Sequence, residues 1–307
     1  MNTWRAWWQA ARVPSQVYMY LPLLLGQALA WRDTGRFSGG ATAGLLIYGT
    51  CQQLYTVFAN DLADEAHDRL NPTPTWISGG SRVLVEGQLT PLALRRAAQG
   101  MAVLALLGAG TLAWISSAWE LLPLALVGLL LLWAYSFPPL RLSYRGGGEL
   151  LQAAGLGIVL PLIGYAAGGG NTSTFPWLIW GTLLPLQVAL ALATTLPDEM
   201  GDRLGHKLTM AVRLGGPRVR GLMLVLLGGA LTIWNWLHVW TGPWQLSAWQ
   251  HSSVGWGGLL VLLTLEWSLR RMRVASTQGL VWFAVGTAAV LLSWLALIIE
   301  DCRRFTI

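Results

Sequence analysis

What most constrains this chain is a succession of long apolar stretches, separated by short loops that carry nearly all of its charge. Crossing a bilayer as a helix takes about 20 predominantly apolar residues. Nine stretches approach or reach that length: 14–31, 41–60, 92–116, 119–136, 149–168, 175–197, 218–239, 255–273 and 279–299. Such runs differ from the alternating ten-residue segments of an outer-membrane barrel. Of the 307 residues, 54% are hydrophobic and 11% charged, whereas a soluble domain has about a quarter of its residues charged. The expected fold is all-α: a polytopic bundle of about nine transmembrane helices, a single domain over residues 1–307. Helices in membranes tolerate internal prolines such as Pro22, Pro123, Pro161 and Pro185 when neighbours re-satisfy the backbone. Small residues such as Gly155, Gly157 and Gly164 would let helices approach closely.

The net charge of +6 could suggest nucleic acid, but the basic residues sit in short loops, and membrane topology explains them better. Nine spans would put sixteen Arg and Lys residues on the N-terminal side, Arg5, Arg12, Arg82 and Arg273 among them. Only Arg32, Arg36, Arg303 and Arg304 fall on the other. By the positive-inside rule the rich side is cytoplasmic, which places the N-terminus there, in a bacterial-type inner (plasma) membrane. Tryptophans such as Trp4, Trp7, Trp8, Trp31, Trp76, Trp119, Trp177, Trp240 and Trp244 lie mostly near span ends, as in an interfacial belt. The first stretch has some marks of a signal peptide, yet eight more spans follow it, so no cleavage is expected.

Two of the apolar runs close in clusters of acids. Asp61, Asp64 and Asp68 stand at i, i+3 and i+7, so a helix continuing out of the second run puts all three carboxylates on one face, with Glu65 pointing away and His67 off that face. Asp198 and Asp202, one helical turn apart, close the sixth run. Both clusters fall on the Arg-rich side. Their position at the ends of the second and sixth spans hints at a duplicated four-helix unit followed by a ninth helix. Carboxylates roughly 6 Å apart repel by about 3 kcal/mol per pair at an effective dielectric near 20, so five together call for a cation. Hard oxygen ligands suit Mg²⁺, which is held by a few carboxylates together with substrate phosphates. Two such ions bridging a diphosphate would still leave a residual negative charge, which Arg69, Arg82, Arg145 and Lys207 are at hand to take up. The loop 69–91, rich in Gly, Ser and Pro, has the length of a lid or binding element. Glu266 is expected to pair with Arg270, one turn along its helix.

Asn60-Asp61-x-x-Asp64-x-x-x-Asp68 and Asp198-x-x-x-Asp202 resemble the paired aspartate motifs of the UbiA superfamily of intramembrane prenyltransferases. The segments Tyr135–Gly146 with Gly148–Leu151, Lys207–Gly215, and Arg82-Val83 leading to Gly87–Pro91 are similar to its 1,4-dihydroxy-2-naphthoate prenyltransferase (MenA) branch. Four features depart from that branch: Glu65-Ala66-His67 where it has a Gly, Glu86 for Ser, His206 for Gly, and Arg12-Val13-Pro14 for a more usual Arg-Pro.

The resemblance implies a bundle around a central chamber, with a polar cap on the cytoplasmic side. It implies a transferase that moves an isoprenyl chain from a prenyl diphosphate donor to a small aromatic acceptor, as in quinone biosynthesis. Asp61, Asp64 and Asp68 would bind one Mg²⁺ and Asp198 and Asp202 a second, with Asp61, Asp64, Asp198 and Asp202 as the catalytic set. Asn60, Arg69, Arg82, Tyr135, Arg141, Tyr144, Arg145 and Lys207 would bind substrate, the two tyrosines serving equally well as interfacial anchors. A terpene cyclase on the same scaffold would use the same metal without an acceptor. A cation-coupled transporter would place its acids in mid-membrane, and here they stand at helix ends.

Overall fold

In a computed structural model the described residues are 3–72, 74–75, 79–241, 245–271 and 277–304, with side chains described except at 237–255, 268, 271, 277, 297–298 and 300–304. Trp76, Trp244 and Arg273, and the side chains of Trp240, Arg303 and Arg304, lie outside that set. The described residues are helical without strands. In order they are α1 (Thr3–Ala11), α2 (Val17–Thr34), α3 (Gly39–Leu70), α4 (Pro91–Ser116), α5 (Leu121–Ser136), α6 (Leu142–Arg145), α7 (Gly148–Ala154), α8 (Leu160–Ala167), α9 (Trp180–Thr195), α10 (Glu199–Leu204), α11 (Met210–Leu214), α12 (Gly216–Thr241), α13 (Gln245–Arg271) and α14 (Thr277–Arg304).

The helices begin where side chains can take up free backbone donors. Ser38 accepts from the Ala41 amide at 3.1 Å to start α3, and Thr90 accepts from Ala93 at 3.2 Å to start α4, with Pro91 in the first turn. Between α7 and α8 the backbone passes through one π-helical turn, Gly155–Val159, just before Pro161. Proline supplies no N–H, so a shift of hydrogen-bond register there costs little.

Among the described residues five helical segments are long and apolar enough to cross a membrane: Pro91–Ser116, Gly148–Ala167, Trp177–Leu204, Gly216–Trp236 and Gln278–Ala296. Leu121–Ser136 and Trp256–Trp267 are apolar but shorter. The nine expected stretches fall largely on helix, but length and apolarity single out fewer of them as spans. α2 ends in Trp31-Arg32-Asp33, and α3 carries Gln52 and Gln53, both buried in the protein rather than presented to lipid.

The bundle closes through small residues. A Cβ on Gly26 would sit 2.0 Å from the Pro161 carbonyl oxygen, and one on Gly164 would sit 1.9 Å from that of Leu23. α2 and α8 therefore meet backbone to backbone, the close approach expected at Gly164. The larger core cluster joins α2, α4, α5, α8, α9, α12 and α14, and includes the buried Leu23, Leu29, Tyr165, Leu186 and Trp294. A smaller one, with Ala6, Ala10, Phe58, Val83, Leu84 and Leu94, packs α1 and the α3–α4 connection against α3 and α4 near the acidic end of α3.

Candidate active site

α3 runs past its apolar part for three more turns, and those turns carry the acids. Asp61, Asp64, His67 and Asp68 are all buried, at 4%, 4%, 5% and 6% exposure. Glu65 points outward and pairs with Arg69 at 3.0 Å, as the helical spacing requires. Three loops close over this end of α3: the α3–α4 connection, the α5–α7 connection, and the segment from α9 to α11.

Each loop delivers a partner. From the first, Ser81 gives Asp61 its hydroxyl and its amide, the latter at 3.3 Å. Arg12, just after α1, forms an ion pair with the same carboxylate. From the second, the Tyr144 hydroxyl donates to Asp64 Oδ1 at 2.9 Å. The Arg141 guanidinium lies 3.6 Å over the Tyr144 ring and donates to the Ala63 carbonyl at 3.2 Å. From the third, Lys207 Nζ donates to Asp64 Oδ2 at 2.9 Å.

The second acidic pair arrives with that third loop. α9 stops at Thr195, a tighter turn (Leu196–Asp198) that contains Pro197 follows, and α10 starts directly after Asp198, its N-cap. Asp202 meets His67 Nε2 at 3.1 Å and takes the Thr209 hydroxyl at 2.9 Å. Asp198 accepts from Asn71 Nδ2 at 3.2 Å. Residues 61–68 and 198–202, remote in sequence, thus share one cluster, in which Asp202 is buried and Asp198 half-buried.

The expectation that five acids need a metal to coexist is corrected on one point: protein partners already meet Asp61 (Arg12), Asp64 (Lys207) and Asp202 (His67). Asp68 forms no ion pair among the described residues. Burial first, then the charges of Asp64 and Asp61, push its pKa up to about 7. Burial alone would lower Lys207, but Asp64 outweighs it and holds the amine well above its ordinary value. Burial and Asp64 together raise Tyr144.

Two predicted residues lie outside the cluster: Arg69 on the exposed face with Glu65, and Arg145, exposed, whose carbonyl takes a bond from Arg213 at 2.8 Å. Arg82 flanks the acids, donating to the Asp68 carbonyl at 3.2 Å and to Glu86 at 3.3 Å. Asn60 accepts from Ser136 at 3.4 Å, and the Tyr135 ring packs where a Cβ on Gly148 would come within 2.8 Å. Arg12, Ser81, Asn71, His67 and Thr209 were not anticipated as members. His67 alone had a local signal, because it stands three residues after Asp64 and so borders the acidic face. The buried Glu149 binds the Met210 amide at 2.7 Å and ties the second loop to the third.

Among the described residues no three His, Cys, Asp or Glu side chains stand ready together as a metal cage. The donor chemistry nonetheless fits a hard divalent cation: carboxylate oxygens from two elements, one of them, Asp68, buried outside any ion pair among the described residues.

Comparison with known proteins bears on the fold and the family. The chain is 26% identical over 285 residues to a 2-carboxy-1,4-naphthoquinone phytyltransferase of Synechocystis sp., covering 88% of this chain and 82% of that protein. It is 26% identical over 234 residues to a 1,4-dihydroxy-2-naphthoate octaprenyltransferase of Bacillus subtilis, covering 75% and 71%. A UbiA homolog from Archaeoglobus fulgidus, solved bound to GPP and Mg²⁺, superposes with a TM-score of 0.65 at 15% identity, covering 96% of this chain and 99% of that one. The profile of the UbiA prenyltransferase family matches residues 19–279, and the chain belongs to that family.

Proposed function

We propose that this protein is a Mg²⁺-dependent prenyltransferase that moves an isoprenyl chain from a prenyl diphosphate to an aromatic acceptor of the 1,4-dihydroxy-2-naphthoate type, in quinone biosynthesis. The observation that carries the reading is the joining of the buried Asp61, Asp64 and Asp68 with the buried Asp202 and the half-buried Asp198 in one cluster that also holds Lys207 and Tyr144. Family membership and the two naphthoate-acting relatives support the choice of acceptor.

Asp61, Asp64 and Asp68 would hold one Mg²⁺ and Asp198 and Asp202 a second. When bound, the metal supplies Lewis-acid stabilisation of the departing diphosphate. The chain's own residues do the rest. Lys207, Arg141 and Arg82, the cations nearest the acids on the loops, supply donors to phosphate oxygens as the allylic C–O bond breaks and the oxygen keeps the electron pair. The face of Tyr135, and the face of Tyr144 opposite Arg141, shield the allylic cation. An electron-rich ring carbon of the acceptor then forms the new C–C bond, and the ring regains aromaticity by losing a proton, or CO₂ where the attacked carbon bears a carboxylate. The apolar bundle favours a polyprenyl tail, each buried CH₂ contributing about 0.8 kcal/mol. The Arg-rich ends, and with them the site, face the cytoplasm.

The test is release of pyrophosphate by the purified protein, given Mg²⁺, a prenyl diphosphate and 1,4-dihydroxy-2-naphthoate. Asp64→Ala and Asp198→Ala are expected to lose nearly all of it. Full activity in both variants would overturn the reading, and hydrocarbon release without acceptor would make the protein a cyclase.

A further inference from the structure

In the state described above Asp61 is already engaged on both of its oxygens, by three donors on about four acceptor sites. Oδ1 receives Arg12 and the Ser81 amide, and Oδ2 receives the Ser81 hydroxyl. Serine is part of the loop that seals the site, but Arg12 comes from elsewhere. It sits at the junction of α1 and the short helical turn Val13–Gln16, in the left-handed region with φ 43° and ψ 52°. A non-glycine residue in that region is held there by its surroundings. α1 is tied to the same loop by Gln9, whose amide donates to the Ser81 carbonyl at 2.7 Å.

The guanidinium is incompletely satisfied in this seat: Arg12 Nε is buried and has no hydrogen-bond partner. An arginine that made a permanent structural pair would use its planar fork more fully. Arg12 instead keeps 31% of its side chain exposed and is set on Asp61, the acid that stands first after the apolar run of α3.

We infer that Arg12 is the resident counter-ion of Asp61 in the metal-free protein, and that metal enters the first acidic cluster by exchange, the guanidinium leaving Asp61 as the divalent cation arrives. The inference rests on the proposed metal-dependent function. It makes Arg12 a positioning residue that sets how readily the site loads, and it makes α1 the element that moves when loading occurs. Neutral protein in this region would leave Asp61 as a second unpaired buried acid beside Asp68; Arg12 prevents that until a metal is available.

The probe is Mn²⁺ alone, without donor or acceptor, titrated into the full-length protein in lipid nanodiscs and followed by the paramagnetic resonance of free Mn²⁺. Arg12→Gln is expected to bind Mn²⁺ about tenfold more tightly than the parent, the factor set by losing one competing charge-assisted pair, and Asp61→Asn in that background is expected to erase the gain. The parent protein gives an independent readout that needs no variant to fold: phenylglyoxal labelling of Arg12, measured by mass spectrometry, is expected to rise when Mn²⁺ is added. Parent-like or weaker binding in Arg12→Gln, or labelling that Mn²⁺ leaves unchanged or suppresses, overturns the exchange while leaving the metal-dependent function standing. Absence of saturable Mn²⁺ binding in both proteins brings down the metal reading, and the exchange with it.

Discussion

Replacing Lys207 by Met should reverse the way the contribution of Asp64 to stability responds to pH. Lys207 and Asp64 are 8% and 4% exposed, and their charges meet at 2.9 Å. Removing one partner of a buried pair costs about 3–5 kcal/mol because the other charge is stranded. Two things soften the loss at Asp64: the Tyr144 hydroxyl still donates to it at 2.9 Å, and the acid can take up a proton. The penalty at neutral pH should therefore be about 3 kcal/mol. In the parent, Lys207 and Tyr144 outweigh burial and hold Asp64 below its ordinary 3.8, so the pair's stabilisation is present above that value and is lost only as pH falls through the lower, folded one. In Lys207→Met, burial is no longer offset, and the folded value rises above 3.8. Stability contributed by the protonated acid is then lost as pH rises, so the deficit should be largest near pH 8 and shrink steadily toward pH 5. Denaturant midpoints of the detergent-purified, metal-free protein, followed by tryptophan fluorescence, measure this directly. Lys207→Met combined with Asp64→Asn should recover at least about 1 kcal/mol of the loss, since paired sites are not additive. A deficit below about 1 kcal/mol, or one that ignores pH, would falsify the reasoning.

Asp68→Asn should stabilise the metal-free protein above pH 7: the acid's folded pKa of about 7 against an ordinary 3.8 means its ionisation opposes folding increasingly across that interval, by up to about 4 kcal/mol; a thermal melting series from pH 4 to 8 that matches the parent refutes it. Gly80→Ala should destabilise by at least about 1–2 kcal/mol, because Gly80 has φ +72° and a Cβ there would stand 2.0 Å from Asp68 Oδ2; equilibrium denaturation decides. Arg220→Met should cost about 3 kcal/mol by stranding the buried Glu266, which would keep only the exposed Arg270 at 2.7 Å, and adding Glu266→Leu should restore much of it. Chelation with EDTA should abolish pyrophosphate release, and added Mg²⁺ should return it.

Contacts set by helical period were legible in the sequence. The shared face of Asp61, Asp64 and Asp68, the outward Glu65 and the pairing of Glu266 with Arg270 all follow from spacings of three and four. So did the use of Gly164, since a small residue in a long apolar run has few other reasons to be there. Contacts made by tertiary closure were not legible. Arg220 reaches Glu266 across 46 residues, and Arg12 reaches Asp61 across 49; neither separation leaves a periodic trace. The loop 69–91 was expected to bind or cover, and Gly80, Ser81 and Arg82 do bear on the acids, but only its fold shows which residues do so. His67 was misjudged because three acids define a narrow stripe, whereas the buried face of α3 is wide enough to take in a fourth side chain.

α3 is also a segment that lipid alone would receive poorly. Gln52 and Gln53 are buried inside the bundle, Gln53 donating to Ser15 at 2.6 Å, and the helix then ends in a run of acids. During synthesis this stretch emerges before α4, which packs along it, so its polar groups have at first only α2 and the turn before it as company. Its stable lateral release from the translocation machinery should therefore wait for the next hairpin partner, making α3 and α4 a joint unit of membrane insertion.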